Sequence, residues 1–185
     1  IKELLPIAAC PPAGRPRHRY GRSMWASLLS GGAATYGGLK TYEPYDGELR
    51  GIQRYKDAVR AGKLVGGARD FRHIHQFFQD TGLTLVGMTP ADAMASYQPY
   101  RFKCIADDKH IIVYLQNPDS SQPEKAGVAR KKASVRMHLP RFRYAMRWYE
   151  PTTGRWHEGD GVTGGYDRDL KAPFPGDAVL LLTKR

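Results

Sequence analysis

Between Arg141 and Glu158 the chain reads RFRYAMRWYEPTTGRWHE, a stretch that leaves little choice of local structure. Phe142, Tyr144, Met146 and Trp148 recur at every second position, while Arg141, Arg143 and Arg147 take alternate ones. Successive side chains of a strand point to opposite faces, so the pattern predicts a half-buried antiparallel strand with an apolar and a basic side. Pro151-Thr152-Thr153-Gly154 then supplies a turn, because proline presets φ and glycine accepts positive φ. Trp156 opens a second aromatic strand.

The same period of two governs the rest of the chain beyond Tyr97. His110 to Leu115 is a β-prone apolar run, and Lys132 to Leu139 alternates Ala133, Val135, Met137 and Leu139 with Lys132, Ser134, Arg136 and His138. Pro140 interrupts before the next strand, and Ala178 to Thr183 adds a last one. At least five strands are predicted, enough for a small antiparallel β-sandwich over residues 97–185. Asn117 to Gly127, rich in Ser, Pro and polar residues, reads as a surface loop.

Residues 1–96 carry a different rhythm. Tyr20, Met24 and Leu28, widened by Trp25 and Leu29, form a helical stripe from His18 to Leu29 that Gly31-Gly32 closes. Trp25 reads as core. Ala33 to Gly38 suggests a short strand of small residues, the kind that fits a crowded barrel wall. Asp70 is expected to cap a helix carrying Phe71, Ile74, Phe77 and Phe78, ended by Gly82. Thr89-Pro90 has the form of an N-cap and first helical residue, predicting a further short helix.

Composition excludes more than it selects. With 41% hydrophobic and 25% charged residues in 185, the chain has the make-up of a globular protein with one good core or two small ones. No apolar run approaches the roughly 20 residues that span a bilayer. Ile1 to Cys10 lacks the order of a signal peptide, and the absence of an initiating Met fits a processed or partial product. Cys10 and Cys104 have no metal or disulfide spacing and read as free thiols. His73 and His75 stand two apart on a helix, whereas a helical zinc pair needs four, so no metal and no cofactor is expected. No Gly-x-Ser-x-Gly elbow appears, and Gly161 to Gly165 lacks the features of a phosphate cradle. The net charge of +11 would suit a polyanion, but it is spread along the chain. Lys132, Arg136, Arg143 and Arg147 could align across strands, with Tyr149 or Trp156 as a stacking surface; nucleic acid is nonetheless disfavoured against an anionic glycan, and a solvated face is the ordinary reading of such a row.

The segment Tyr144-x-x-Arg147-Trp148-Tyr149-x-Pro151-Thr152-Thr153-Gly154 resembles the RWFDPRTG hairpin in the C-terminal β-sandwich of apiosidase-like glycoside hydrolases, whose catalytic domain is a (β/α)8 barrel. Arg19, Trp25 and the run Gly31 to Gly38 look like the seventh helix and eighth strand of those barrels. Gly66 to Phe78 is similar to their last barrel helix, followed by Leu85 to Pro90, and Val113 to Leu115 and Pro175 to Leu181 match sandwich strands. The matches run in the family's order over most of residues 17–185. The fold class this implies is α/β plus all-β: the C-terminal portion of a TIM barrel followed by an antiparallel β-sandwich.

The resemblance implies glycoside hydrolysis by two carboxylates on the fourth and seventh barrel strands, acting on an oligo- or polysaccharide. One protonates the leaving oxygen while the other attacks the anomeric carbon, which for retention places them about 5 to 5.5 Å apart. The chain begins too late to hold the fourth strand, so the activity would require a preceding barrel portion or another chain, and this segment alone would be inactive. Glu3 stands where the family's nucleophile would fall; a frayed terminal residue is the competing reading. Tyr36, Tyr42 and Glu43 would lie at the end of the eighth strand and form a sugar subsite, or equally a loop packed on the barrel rim. Family association favours a periplasmic or secreted protein. The alternative class is a non-catalytic carbohydrate-binding or accessory sandwich module.

Overall fold

A computed structural model describes residues 18–33, 66–97, 101–119 and 130–185. Among the described residues two helices, α1 (His18–Leu28) and α2 (Gly66–Thr81), precede nine strands. These are β1 (Thr89–Pro90), β2 (Ala95–Tyr97), β3 (Phe102–Ala106), β4 (His110–Leu115), β5 (Lys132–His138), β6 (Arg143–Glu150), β7 (Arg155–Thr163), β8 (Asp167–Pro175) and β9 (Ala178–Lys184). One sheet has the order β1-β3-β4-β9-β6-β7 and the other β2-β5-β8; every pairing described is antiparallel.

The two sheets share one core. Val113 and Leu115 of β4, Trp148 of β6 and Leu180 of β9 meet Val135 and Met137 of β5 and Phe174 of β8. A second core lies on the opposite face of the six-stranded sheet, where Ile112, Tyr114, Tyr149, Val179 and Leu181 receive Trp25 and Leu29 of α1 and Ile74 and Phe77 of α2. The molecule is thus layered as helices, large sheet and small sheet. This layering explains the strand sequences. Strands β4 and β9 are covered on both faces and read as continuous apolar runs, HIIVYL and AVLLL. Strand β5 has one wet face and alternates strictly between exposed and buried residues.

The predicted hairpin forms β6 and β7, and Gly154 sits in its turn at φ +75°. Tyr144 and Trp148 face the inter-sheet core as expected, but Tyr149 is equally buried on the other face. Phe142 departs from the expected stripe: it precedes β6 and stays 43% exposed. Helix α1 falls where its stripe predicted, with Trp25 buried, and Gly82 at φ +66° ends α2.

Four further expectations are corrected. Asp70 is no N-cap, because α2 begins at Gly66 and the buried Asp70 lies within it. Thr89-Pro90 does not open a helix but pairs with β3, Thr89 opposite Ala106 and Pro90 opposite Ile105; proline suits this edge position because a ladder donor is dispensable there. A 3-10 turn, Asp92–Met94, follows. Asn117, placed in a surface loop by composition, is buried. The basic row is divided between sheets, Lys132 and Arg136 on β5 but Arg143 and Arg147 on β6, and Tyr149 is too deeply buried to stack on a ligand.

Candidate functional site

The most concentrated polar geometry lies where α1 meets the large sheet. Gly176-Asp177 links β8 to β9, which places the Asp177 carboxylate at the edge of the helix-covered face. Arg22 grips it twice, Nε to Oδ2 at 3.1 Å and Nη2 to Oδ1 at 3.0 Å. The Tyr114 hydroxyl donates to Oδ2 at 2.8 Å and the Asn117 backbone N–H to Oδ1 at 2.7 Å. Four donors on one carboxylate account for its burial: an unpaired buried charge would be costly, whereas this one is paired and hydrogen-bonded.

The neighbouring titrations follow from that charge. Burial would lower the Arg22 pKa, but the hydrogen bonds and charge of Asp177 outweigh it and the guanidinium is held above its ordinary value. Burial, then the Asp177 charge, pushes the Tyr114 phenol well up. Burial is also the main reason that the Tyr97 phenol, which donates to the Gln116 carbonyl, is raised. These groups do not exchange protons near neutrality. The hub fixes position: it fastens α1 to the strand ends of β4 and β9. A narrow cleft beside it is bordered by Gly21, Trp25, Asp70 and Pro151.

Helix α2 is fastened by the hairpin. Tyr149 donates its hydroxyl to the His73 carbonyl at 2.7 Å, and Trp156 donates Nε1–H to Asp80 Oδ2 at 2.8 Å. His73 Nδ1 lies 3.0 Å from the Pro151 carbonyl, and Gln76 donates to the Gly154 carbonyl at 3.4 Å. A Cβ on Gly154 would stand 2.8 Å from Gln76 Oε1, so the turn glycine serves close approach as well as positive φ. Phe77 packs edge-on to Trp25 at 5.3 Å and stacks on Trp156 at 5.2 Å, while the Arg147 guanidinium sits 4.0 Å from the Trp156 ring centroid. Tyr149 and Trp156 are therefore mortar between helices and sheet, while Tyr144 and Trp148 pack between the two sheets.

Other described carboxylates are also engaged as acceptors. Asp92 takes the Lys103 ammonium and the Cys104 N–H, both at 2.7 Å; Asp169 takes Arg136 at 2.9 Å; Glu158 takes Arg147 at 3.0 Å. Asp119 accepts the backbone N–H groups of Arg130 and Lys131, which hold its carboxyl below the usual range. Among the described residues no three His, Cys, Asp or Glu side chains are grouped to hold a metal, and no helix is long and apolar enough to cross a membrane. Glu3, Tyr36, Tyr42 and Glu43 lie outside the described residues, as does Cys10; Cys104 is a buried free thiol. Sequence reasoning assigned Arg22, Tyr114 and Asp177 no role. Their only signal was polar residues at the margins of apolar segments, which does not reveal partners 63 and 155 positions away.

No family model and no curated protein matches the sequence. Solved structures do match in three dimensions. A protein described as a glycoside hydrolase superimposes with a TM-score of 0.64 at 13% identity, covering 91% of this chain and 37% of that one. A glycoside hydrolase family 5 protein from Bacteroides vulgatus ATCC 8482 gives 0.63 at 12% identity, covering 91% and 36%. The chain spans little more than a third of each. Its arrangement of mostly antiparallel sheets with few helices is a fold shared with part of these glycoside hydrolase chains.

Proposed function

We propose that this chain is the C-terminal portion of a glycoside hydrolase, in which a β-sandwich and the helices packed on it buttress a catalytic (β/α)8 barrel. The carrying observation is the fold match over 91% of the chain but 37% of the glycoside hydrolase. The helix layer supports it: α1 and α2 are bonded to the sheet by Asp177, Tyr149 and Trp156, the arrangement needed to hold barrel helices on a rigid base. In this reading the sandwich takes in β1 and β2, whose pairings with β3 and β5 put strand residues as early as Thr89 into its two sheets.

The substrate is an oligo- or polysaccharide and the reaction two-carboxylate hydrolysis with retention. Glu3 is the nucleophile: its carboxylate attacks the anomeric carbon, the partner carboxylic acid protonates the departing oxygen, and water then releases the sugar from the glycosyl ester. Tyr36 and Tyr42 offer rings to the sugar's C–H face, and Glu43 accepts its hydroxyls.

The test is hydrolysis of a panel of aryl glycosides and plant polysaccharides by the longer polypeptide that contains this segment, beside the 185-residue chain alone. Turnover by the longer protein and none by the short chain is expected. Failure of the longer protein on every substrate overturns the reading. Full activity in Glu3→Gln would remove Glu3 from the mechanism while leaving the hydrolase assignment intact.

A further inference from the structure

A second concavity, of about 260 Å³, opens where the β3–β4 turn meets the segment joining β5 to β6. Its floor is apolar, built from Met94, Ile111 and the Tyr144 ring. Phe142 forms a wall and is 43% exposed, unusual for a large apolar side chain in a sequence whose other sandwich aromatics are mostly buried. The Lys184 ammonium lies 3.4 Å from the Phe142 ring centroid. Asp108 and Lys109 complete the rim, and neither side chain has a hydrogen-bond or ion-pair partner among the described residues.

The rim is rigid. Asp107 directs its carboxylate into the turn, taking the N–H groups of Lys109 at 2.7 Å and His110 at 2.6 Å, and Lys184 N–H donates to the Lys109 carbonyl at 2.8 Å. Burial works to raise the Asp107 pKa, but these bonds outweigh it and hold the carboxyl below its ordinary value. Asp107 is thereby spent on the turn, whose bonded backbone presents the free side chains of Asp108 and Lys109 beside an apolar floor.

We propose that this cleft binds one pyranose residue of a glycan. The inference rests on the reading above that the chain belongs to a glycan-acting protein, and extends it to a site on the sandwich. A pyranose has an apolar C–H face for Phe142 and the floor, and hydroxyls that both donate to Asp108 and accept from Lys109 or Lys184. A wholly apolar guest would strip water from two charges without replacing it. Inorganic phosphate would leave the aromatic wall unused and meet Asp108. The volume lies just below the usual range for drug-sized ligands, about 300 to 1,000 Å³, and so suits a single ring.

The experiment is a backbone-amide NMR titration of the 185-residue chain with methyl β-glucoside, methyl β-xyloside and methyl β-glucuronide, with phosphate as control. Saturable shifts confined to Asp107–Lys109, Phe142 and Lys184 are expected, with a dissociation constant on the order of millimolar. Asp108→Asn, on an exposed turn, should weaken binding several-fold with the spectrum otherwise unchanged, and Phe142→Ala should abolish it. A stronger response to the glucuronide supports a role for the two lysines. No saturable shift with any sugar, or shifts indifferent to both variants, overturns the proposal. Hydrolysis by the longer polypeptide without binding here removes this cleft alone; binding here without hydrolysis removes the hydrolase reading and leaves the cleft.

Discussion

Asp177→Ala is the sharpest probe of how the helices are held. The substitution removes both acceptors of Arg22 and the acceptors of the Tyr114 hydroxyl and the Asn117 N–H. The Arg22 side chain is 15% exposed and that of Asp177 8%, so the guanidinium left behind is largely shielded from water. Deleting one partner of such a pair costs about 3 to 5 kcal/mol. The stranded hydroxyl and N–H would add up to about 1 to 3 kcal/mol each if neither relaxed, but the terms share one cavity and do not add fully. About 4 kcal/mol is the working value. With an m-value of about 2 kcal/mol per M in urea, the midpoint should fall by about 2 M. Urea unfolding followed by far-UV circular dichroism and tryptophan fluorescence measures this, since Trp25 sits in the layer released. Arg22→Met combined with Asp177→Leu should cost less than the sum of the two single changes, because an apolar pair removes the stranded charge. A midpoint shift under about 0.5 M for Asp177→Ala would refute the claim that this hub carries the helix–sheet junction.

The other expectations concern packing and titration. Phe77→Ala removes a fully buried ring that touches Trp25, Phe78, Tyr149 and Trp156 and should cost about 3 to 5 kcal/mol, read by thermal unfolding. Gly164→Ala would put a Cβ 2.0 Å from the Pro140 carbonyl oxygen, a backbone atom that cannot swing aside; a loss of at least about 1 to 3 kcal/mol is expected in the same assay. Burial, reinforced by the charge of Asp92, pushes the Cys104 thiol up to about 12, so iodoacetamide at pH 8 should label it only after denaturation. Burial also raises the Tyr97, Tyr114 and Tyr149 phenols. All four groups bind protons more tightly folded than unfolded, so stability is intact below the ordinary thiol and phenol values and is lost progressively as pH rises above about 9 to 10. Urea midpoints at pH 7.5 and 10.5 check the sign; a higher midpoint at pH 10.5 would contradict it.

Local structure was largely legible. The alternation of Ala133, Val135 and Met137 specified both a strand and its buried face, and the four-residue spacing of Met24 and Leu28 specified α1, because side-chain periodicity is a property of one element alone. Gly82 and Gly154 marked a helix end and a turn because few residues tolerate positive φ. Where cues were local but ambiguous, the reading failed. Thr89-Pro90 has the chemistry of a helix start, and only the free edge of β3 turned it into a strand. Asp70 could cap a helix, yet the chain begins α2 four residues earlier.

What the sequence determined by itself was the identity and buried face of most elements, since these follow from covalent spacing and side-chain type. The tertiary structure decided which strands share a sheet, and so separated Arg136 from Arg147. It decided that Tyr149 faces α2 and not solvent, and that Asp177 collects Arg22, Tyr114 and Asn117. Such groupings depend on contacts between residues far apart in the chain. Their energies arise when layers close and exclude water, and no window of neighbouring residues contains that information.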